Sequence, residues 1–212
     1  MLNPKVPANF ILEKTLWSIG KKTVAGLDEV GRGAWAGPLV AAVVIFPPGV
    51  SFPEEVYDSK LLTPAKREHL VMLIKKYSWF FSIAEVGVDF INRWGIGEAN
   101  RLAFKKAIIG LDIRPDYLLT DALPLSSLAD ISQLAIRRGD RLCASIAAAS
   151  ILAKVYRDEL MDRLAPKFPP YLFEKNKGYG TKAHQDALIT PGPCRAHRTS
   201  FKNSTLPPPK KL

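Results

Sequence analysis

Short apolar runs alternate along the chain with polar, helix-compatible stretches, and this pattern sets the expected architecture before any single residue is considered. Residues 23 to 29 and Leu39 to Phe46 have the character of two strands joined through a glycine-rich turn, and Trp79 to Val86, with partial alternation, that of a third. Three strands so close in sequence predict an antiparallel meander. Between the second and third, Thr63 offers an N-cap oxygen and Pro64 suits the first helical position, so a helix is expected to about Tyr77. Another is expected over about Asn92 to Ile109. Asp116 to Thr120 forms a short buried strand ending at Asp121, and Gln133 to Arg137 the next. Helices ahead of these strands predict parallel additions to the meander.

Cys143 to Leu164 is the clearest helix. Its Ser145-Ile146-Ala147-Ala148-Ala149-Ser150 run is small enough for close approach to a sheet, and Lys154 to Arg163 is charged and amphipathic. From Ala165 onward prolines and glycines recur, so helices there must be short. The expected organisation is an N-terminal extension (1–22), an α/β domain (23–165), a small basic helical appendage (166–206) and a mobile tail (207–212). There is no internal repeat.

Composition narrows the partner. The chain has 212 residues, 47% of them hydrophobic, enough for one full core. Its net charge is +10, and residues 171–212 carry eight Lys/Arg against two acids, or +6 of that excess. Binding to a polyanion is the natural reading, because neutralising phosphates releases condensed counterions; a merely basic protein is the bland one. No run approaches the roughly 18 apolar residues of a membrane span. Met1 to Lys5 lacks a signal-peptide layout, and Cys143 and Cys194 give neither a disulfide framework nor zinc-ligand spacing, so a reducing cytoplasm is expected. His69, His184 and His197 are far apart in sequence and are assigned to no metal.

The chemistry concentrates in acids at element ends. Asp28 and Glu29 close the first strand beside Gly31-Arg32-Gly33, Asp121 closes a later strand, and Asp140 precedes the long helix. Such ends gather at one edge of an α/β sheet, where ligands bind. Four crowded carboxylates repel unless a cation neutralises them, and an all-oxygen donor set selects Mg²⁺ or Mn²⁺. The alternatives are plain: Asp140 as a cap of the helix, Asp121 as a turn residue. Neighbours on a regular strand also point to opposite faces, so Asp28 and Glu29 share a site only if the strand ends or bulges there.

In order, the chain shows Gly26-Leu27-Asp28-Glu29-Val30-Gly31-Arg32-Gly33, Gly37-Pro38-Leu39-Val40, Asp58-Ser59-Lys60, Asp121, Gly139-Asp140, Ser145 to Lys154 with Arg157-Asp158, Lys177-Gly178-Tyr179-Gly180-Thr181 with His184, and His197-Arg198-Thr199-Ser200-Phe201. This set resembles the bacterial ribonuclease HII family, type 2 ribonuclease H, over about residues 23 to 201. Arg32 between two glycines favours it over the sister family ribonuclease HIII. The resemblance implies a ribonuclease H-like mixed five-stranded sheet flanked by helices, in a monomer. It also implies a two-metal endonuclease with Asp28, Glu29, Asp121 and Asp140 as ligands of two divalent cations, Mg²⁺ or Mn²⁺. Its substrates would be RNA:DNA hybrids and duplex DNA carrying ribonucleotides, cut on the 5′ side of the ribonucleotide to leave a 3′-hydroxyl and a 5′-phosphate, in replication and repair. Gly31, Arg32 and Gly33 match the loop that reads the 2′-hydroxyl, and Tyr179 the aromatic that packs on the following deoxyribose. Lys60 and Lys177 would contact phosphates, and Arg195, Arg198 and Lys202 the duplex; any clamp or polymerase partner is left open. The chain departs from the family pattern at Arg141-Leu142-Cys143 and at Asn176. Two other classes are weighed against the enzyme. One is a non-catalytic duplex binder; the other, a small-nucleotide module, lacks the Gly-Lys-Ser/Thr ending of a P-loop.

Overall fold

A computed structural model describes residues 6–122 and 124–200. Lys202 and the 207–212 tail lie outside the described residues. In chain order the elements are α1 (Ile11–Ser18), β1 (Val24–Val30), β2 (Leu39–Ile45), α2 (Pro64–Tyr77), β3 (Phe80–Val86), α3 (Val88–Ile109), β4 (Tyr117–Asp121), β5 (Gln133–Ile136), α4 (Ala144–Leu164), α5 (Phe173–Asn176) and α6 (Lys182–Ile189). The strands form one mixed sheet in the order β3-β2-β1-β4-β5. β1, β2 and β3 make the antiparallel meander, and β4 and β5 add in parallel. This is the mixed five-stranded, helix-flanked architecture expected from the sequence.

β2 is buried at every position because helices cover both sheet faces. Its odd residues, with Ala25 and Leu27 of β1, pack against α3 through Ile91, Ala103 and Phe104. Its even residues pack against α2 and α4 through Leu70, Ile74, Ala148 and Ile151. Thr63 caps α2 as expected, its side chain accepting the Lys66 N–H. α3 begins at Val88, ahead of the expected Asn92, and is broken at Gly95, whose φ is 81°. The glycines at 95 and 97 hide its start in the sequence, while burial of Ile91, Ala99 and Ala103 holds it in place.

The small residues of α4 do what their size allows. A Cβ on Gly26 of β1 would lie 2.3 Å from the Ser145 carbonyl carbon, so helix backbone rests directly on strand backbone. Cys143, the N-cap of α4, makes no side-chain cap bond. The first amides of the helix are satisfied by the segment before β1 instead. Asn9 O accepts the Ala144 N–H at 2.9 Å, and Glu13 Oε1 accepts Ser145 N–H at 2.8 Å and Ser145 Oγ–H at 2.6 Å. α1 was not expected from the sequence, and its Glu13 is buried. Ala8 also bridges to Val56, so this segment joins residues 54–58 to the start of α4.

The C-terminal region builds a small core on Ala36 and on Met161 of α4, with Tyr171, Phe173 and Leu188. Among the described residues no helix is long and apolar enough to cross a membrane.

Candidate active site

The site forms where one strand outlasts its neighbour. β1 pairs with β2 in unbroken register to Val30, opposite Val40, but with β4 only as far as Leu27 beside Thr120. β4 ends at Asp121, and Ala122 turns the chain with φ 65°. Past Leu27, β1 therefore has one free edge. A cleft of about 440 Å³ opens there, lined by Asp28, Glu29, Gly31, Arg32, Gly33, Ser59, Lys60, Asp121, Ser150, Lys154 and Tyr179 among others.

This free edge corrects the expectation that β1 must end or bulge at its two acids. The strand is regular through both, with Asp28 opposite Ala42 and Glu29 opposite Ala41. The side chains leave on opposite faces, Asp28 toward Ser150 of α4 and Glu29 toward Asn100 of α3. With no β4 residue beside them, both carboxylates still line the cleft. Asp28 Oδ1 accepts the Glu29 N–H at 2.8 Å.

Like charge is stored here. Burial drives the Asp28 carboxyl well above the usual carboxylate range, with Glu29 and Asp121 adding repulsion. Glu29 is raised by burial and by Asp121, against the pull of Arg32, whose Nη1 lies 3.7 Å from Glu29 Oε1. Asp121 Oδ1 accepts the Gly139 N–H at 2.8 Å, which ties the end of β4 to the turn carrying Asp140. Asp140 is buried, and its pKa is raised by that burial and by Asp58 and Asp121. It stands at the cleft margin rather than in the lining. It does not cap α4, because Glu13 and Asn9 fill that role.

The Asp58-Ser59-Lys60 segment is a 3-10 turn whose Asp58 side chain accepts the Lys60 N–H at 3.0 Å, presenting Lys60 to the cleft. Asp58 Oδ2 also accepts Arg141 Nη2–H at 3.1 Å, which gives the departure at Arg141 a partner beside Asp140. Ser59 and Ser150 hydroxyls share a hydrogen bond of 2.9 Å.

Two fully buried arginines hold the loop after β1. Arg157 of α4 donates to the carbonyls of Pro38 (2.9 Å), Lys177 (2.9 Å) and Ala36 (3.0 Å). Its guanidinium lies 5.2 Å from the centre of the Tyr179 ring. A Cβ on Gly31, whose φ is +95°, would lie 2.1 Å from Arg157 Nε, so glycine is obligatory there. Arg198 donates to the carbonyls of Gly37 (2.9 Å), Gly31 (2.6 Å) and Arg32 (3.2 Å).

Arg198 is thus corrected from duplex contact to buried support: with no exposed surface it cannot meet a duplex. Lys177 is also displaced, its Nζ pairing with Asp162 outside the cleft lining. Arg195 lies over the Phe168 ring, 5.7 Å from its centre. Asn176, the other departure, locks the Tyr179 loop by donating to Tyr171 O at 2.6 Å and accepting Gly178 N–H at 2.8 Å. Lys154 was missed. It lies in the cleft, 5.9 Å from the centre of the Tyr179 ring and 2.7 Å from Asp158, and its i,i+4 spacing to that acid was the available signal.

Among the described residues no three His, Cys, Asp or Glu side chains are drawn round one point. The acids share a cleft without closing on it, as repelling charges do. Buried carboxylates held above their usual pKa, with only oxygen donors among them, fit a hard divalent cation.

Comparison with known proteins identifies the family. The family profile described as Ribonuclease HII matches residues 25–204. The chain is 44% identical to the Ribonuclease HII of Carboxydothermus hydrogenoformans, over 95% of this chain and 86% of that one. It is 49% identical to the Ribonuclease HII of Desulfitobacterium hafniense, over 89% of this chain and 72% of that one. Among solved structures, the ribonuclease H2 from Pyrococcus horikoshii OT3 superposes with a TM-score of 0.69 at 25% identity, covering 85% of this chain and 94% of that one. A match from the second residue of β1 to beyond Arg198 spans every acid, loop and arginine of the cleft, and the chain belongs to the ribonuclease HII family of ribonuclease H nucleases.

Proposed function

We propose that the chain hydrolyses the phosphodiester on the 5′ side of a ribonucleotide, in RNA:DNA hybrids and at ribonucleotides embedded in duplex DNA. The products are a 3′-hydroxyl and a 5′-phosphate, and the role is ribonucleotide removal in replication and repair by a monomeric cytoplasmic enzyme. The observation that carries the reading is the meeting, in one cleft, of Asp28, Glu29 and Asp121 with the Gly31–Gly33 loop and Tyr179.

Asp28, Glu29, Asp121 and Asp140 hold two divalent cations, Mg²⁺ or Mn²⁺. Bound there, such ions supply Lewis acidity toward the phosphate and a more acidic water. The remaining work belongs to the chain. Gly33 leaves room for a sugar, Gly31 lets the loop close on Arg157, and with Arg32 they present backbone groups to the sugar's 2′-hydroxyl, the atom that separates RNA from DNA. Where a Cβ on Gly33 would stand there is open space, which suits close approach of a ligand. Tyr179 packs on the sugar after the ribonucleotide, braced from behind by Arg157. Lys60 and Lys154 face the cleft as phosphate contacts, and Lys177 contributes at most from the adjoining surface.

The test is direct. Duplex DNA with one ribonucleotide is incubated with the protein and Mg²⁺, Mn²⁺ or EDTA, and the ends are mapped. Metal-dependent nicking on the 5′ side is expected. Binding without nicking would return the chain to the non-catalytic class. Tyr179→Ala should lose cleavage at single ribonucleotides more than cleavage within long hybrids; equal loss removes the junction role.

A further inference from the structure

Two histidines that the chemistry above does not use lie buried behind Tyr179. His184 Nδ1 is 2.9 Å from Tyr179 O, His184 Nε2 is 3.0 Å from His197 Nε2, and His197 Nδ1 is 2.9 Å from the Cys194 amide nitrogen. The shortest of these contacts assign the protons, with His197 Nδ1 lying a little farther, 3.2 Å, from the Cys194 carbonyl oxygen. A carbonyl can only accept, so His184 carries its proton on Nδ1 and its Nε2 is bare. A bare His184 Nε2 needs a donor, so in the neutral pair the His197 proton sits on Nε2 and its bare Nδ1 accepts the Cys194 N–H, the shorter of its two Cys194 backbone contacts. The result is a one-way chain from Cys194 N–H through both rings to Tyr179 O, and both imidazoles are neutral. His197 O in turn accepts from Asn92 Nδ2 at 3.3 Å, and the next residue, Arg198, holds the carbonyls of Gly31 and Arg32.

We propose that His184 and His197 are positioning residues that fix Tyr179 at a set span from the Gly31–Gly33 loop, and so set how strongly the enzyme discriminates an RNA-to-DNA junction from continuous RNA. The inference rests on the proposed roles of Tyr179 and that loop. Its physical basis is rigidity: two donors, Thr181 N–H at 2.8 Å and His184 Nδ1–H, hold the Tyr179 carbonyl and so fix the backbone from which the ring projects, while Arg157 packs against the ring itself. A proton added to either ring would break the Cys194 N–H bond to His197, either by direct clash or by moving the His197 proton to Nδ1, toward Cys194 O at 3.2 Å. Against that event stand Tyr171, whose ring centre is 4.6 Å from that of His197, and Cys194, with Sγ 3.2 Å from His197 Nδ1. Arg198 and Arg157 bring only positive charge to this region, and on α6 itself Lys182 and Asp186 pair with each other. Among the described residues neither ring has a carboxylate within ion-pair distance. Burial and the neighbouring His184 push His197 down to about 4, so the pair stays neutral through the neutral range.

Two substitutions separate the bonds. His184→Asn keeps a donor near Nδ1, hence the Tyr179 contact; His184→Gln keeps a group near Nε2, hence only the His197 contact. Cleavage at a single embedded ribonucleotide and within a long RNA:DNA hybrid is measured for both variants and the wild type at neutral pH. The ratio of the two kcat/KM values is the readout, because the same acids cut both substrates and their contribution cancels. His184→Asn should hold the ratio within about twofold, and His184→Gln should lower it about tenfold, the size of one lost hydrogen bond. An unchanged ratio in His184→Gln, or equal loss on both substrates, overturns the proposal. If that variant does not fold, His197→Asn, which keeps the Cys194 contact and drops the donor to His184, is scored the same way. Nitrogen-15 NMR should show both rings neutral at about pH 6, with the proton on Nδ1 of His184 and Nε2 of His197; a charged ring there overturns it as well. A wild type that nicks neither substrate would instead refute the function proposed above.

Discussion

Replacing Asp28 by Asn should make the metal-free protein more stable while abolishing cleavage. Asp28 is 6% exposed, and its Oδ1 accepts one backbone amide at 2.8 Å. Ionising it there carries an effective penalty of several kcal/mol, offset by charge-assisted hydrogen bonds of about 1.5–3 kcal/mol each from the Glu29 amide and Ser150. Glu29 and Asp121 then add repulsion, leaving the ionised site destabilised. Because its folded pKa is raised, the carboxyl holds its proton longer in the native state than in the unfolded one. Its ionisation therefore withdraws stability as pH rises from about 4 through the raised value. Asn keeps a carbonyl oxygen for the same donors and has no charge to bury. The gain should be about 1–2 kcal/mol, or roughly 2–8 °C in Tm for a chain of this length. The assay is thermal melting of both proteins at neutral pH in EDTA and in millimolar Mn²⁺, with nicking measured alongside. The wild type should gain about 2–3 kcal/mol from Mn²⁺ near a hundredfold excess over Kd, and the variant much less. An Asp28→Asn protein that melts below the wild type in EDTA would show that no repulsion is stored at this position.

Three further outcomes follow from the same contacts. Glu13→Ala removes the acceptor for both Ser145 donors at the buried start of α4, and should lower stability by about 2–3 kcal/mol, or roughly 5–10 °C, in a thermal melt. Gly31→Ala combines a φ of +95° with a Cβ 2.1 Å from the buried Arg157 Nε; a loss of about 2–5 kcal/mol by urea unfolding is expected, with nicking sharply reduced. Stability should also fall in acid through His197. Its folded pKa of about 4 lies below the ordinary imidazole value of 6.5, so the contribution is intact above about pH 6.5 and lost as pH falls through about 4. That window is worth at most about 3 kcal/mol, and His197→Gln should flatten the slope of stability against pH across it.

The placement of Asp28, Glu29 and Asp121 in one cleft was legible because they close apolar runs, and a run that becomes a strand delivers its last residues to a sheet edge; Asp140, in the turn before α4, stands at the margin. Asp121 needed no more than that. The meander followed from three strands lying close in sequence, and the parallel additions from the helices that precede them. What could not be read was decided by partners distant in sequence. Glu13 looks like an ordinary solvent-facing residue of a short amphipathic segment; only α4, over a hundred residues later, gives it two donors to accept. Arg157 and Arg198 count in the sequence as basic surface, yet each finds three carbonyls of the 31–38 loop or the Lys177 turn and is buried entirely. A guanidinium can be buried without a carboxylate when its fork of donors meets backbone oxygens, and no local pattern announces that. Lys177 likewise pairs with Asp162 on the surface beside the cleft, a partner that no local pattern announces.

The position of Glu29 beside Asp28 shows how the fold reconciles two requirements that conflict on a regular strand. Alternation sends neighbours to opposite faces, and a bulge would bring them together only by breaking the register with β2. Here the register survives, and the pairing partner on the other side is shortened instead. The strand stays rigid on one edge while both faces remain open on the other, so two adjacent acids reach one cleft from above and below. Such a cleft is repulsive, and its walls must be held from outside it. Gly26 seats α4 against β1, Glu13 fixes where that helix begins, and the two arginines clamp the loop that follows. None of these anchors takes its stability from the acids. Neutralising Asp28 should therefore leave the loop and the Tyr179 turn where they are, and loss of cleavage in that variant can be assigned to the missing charge.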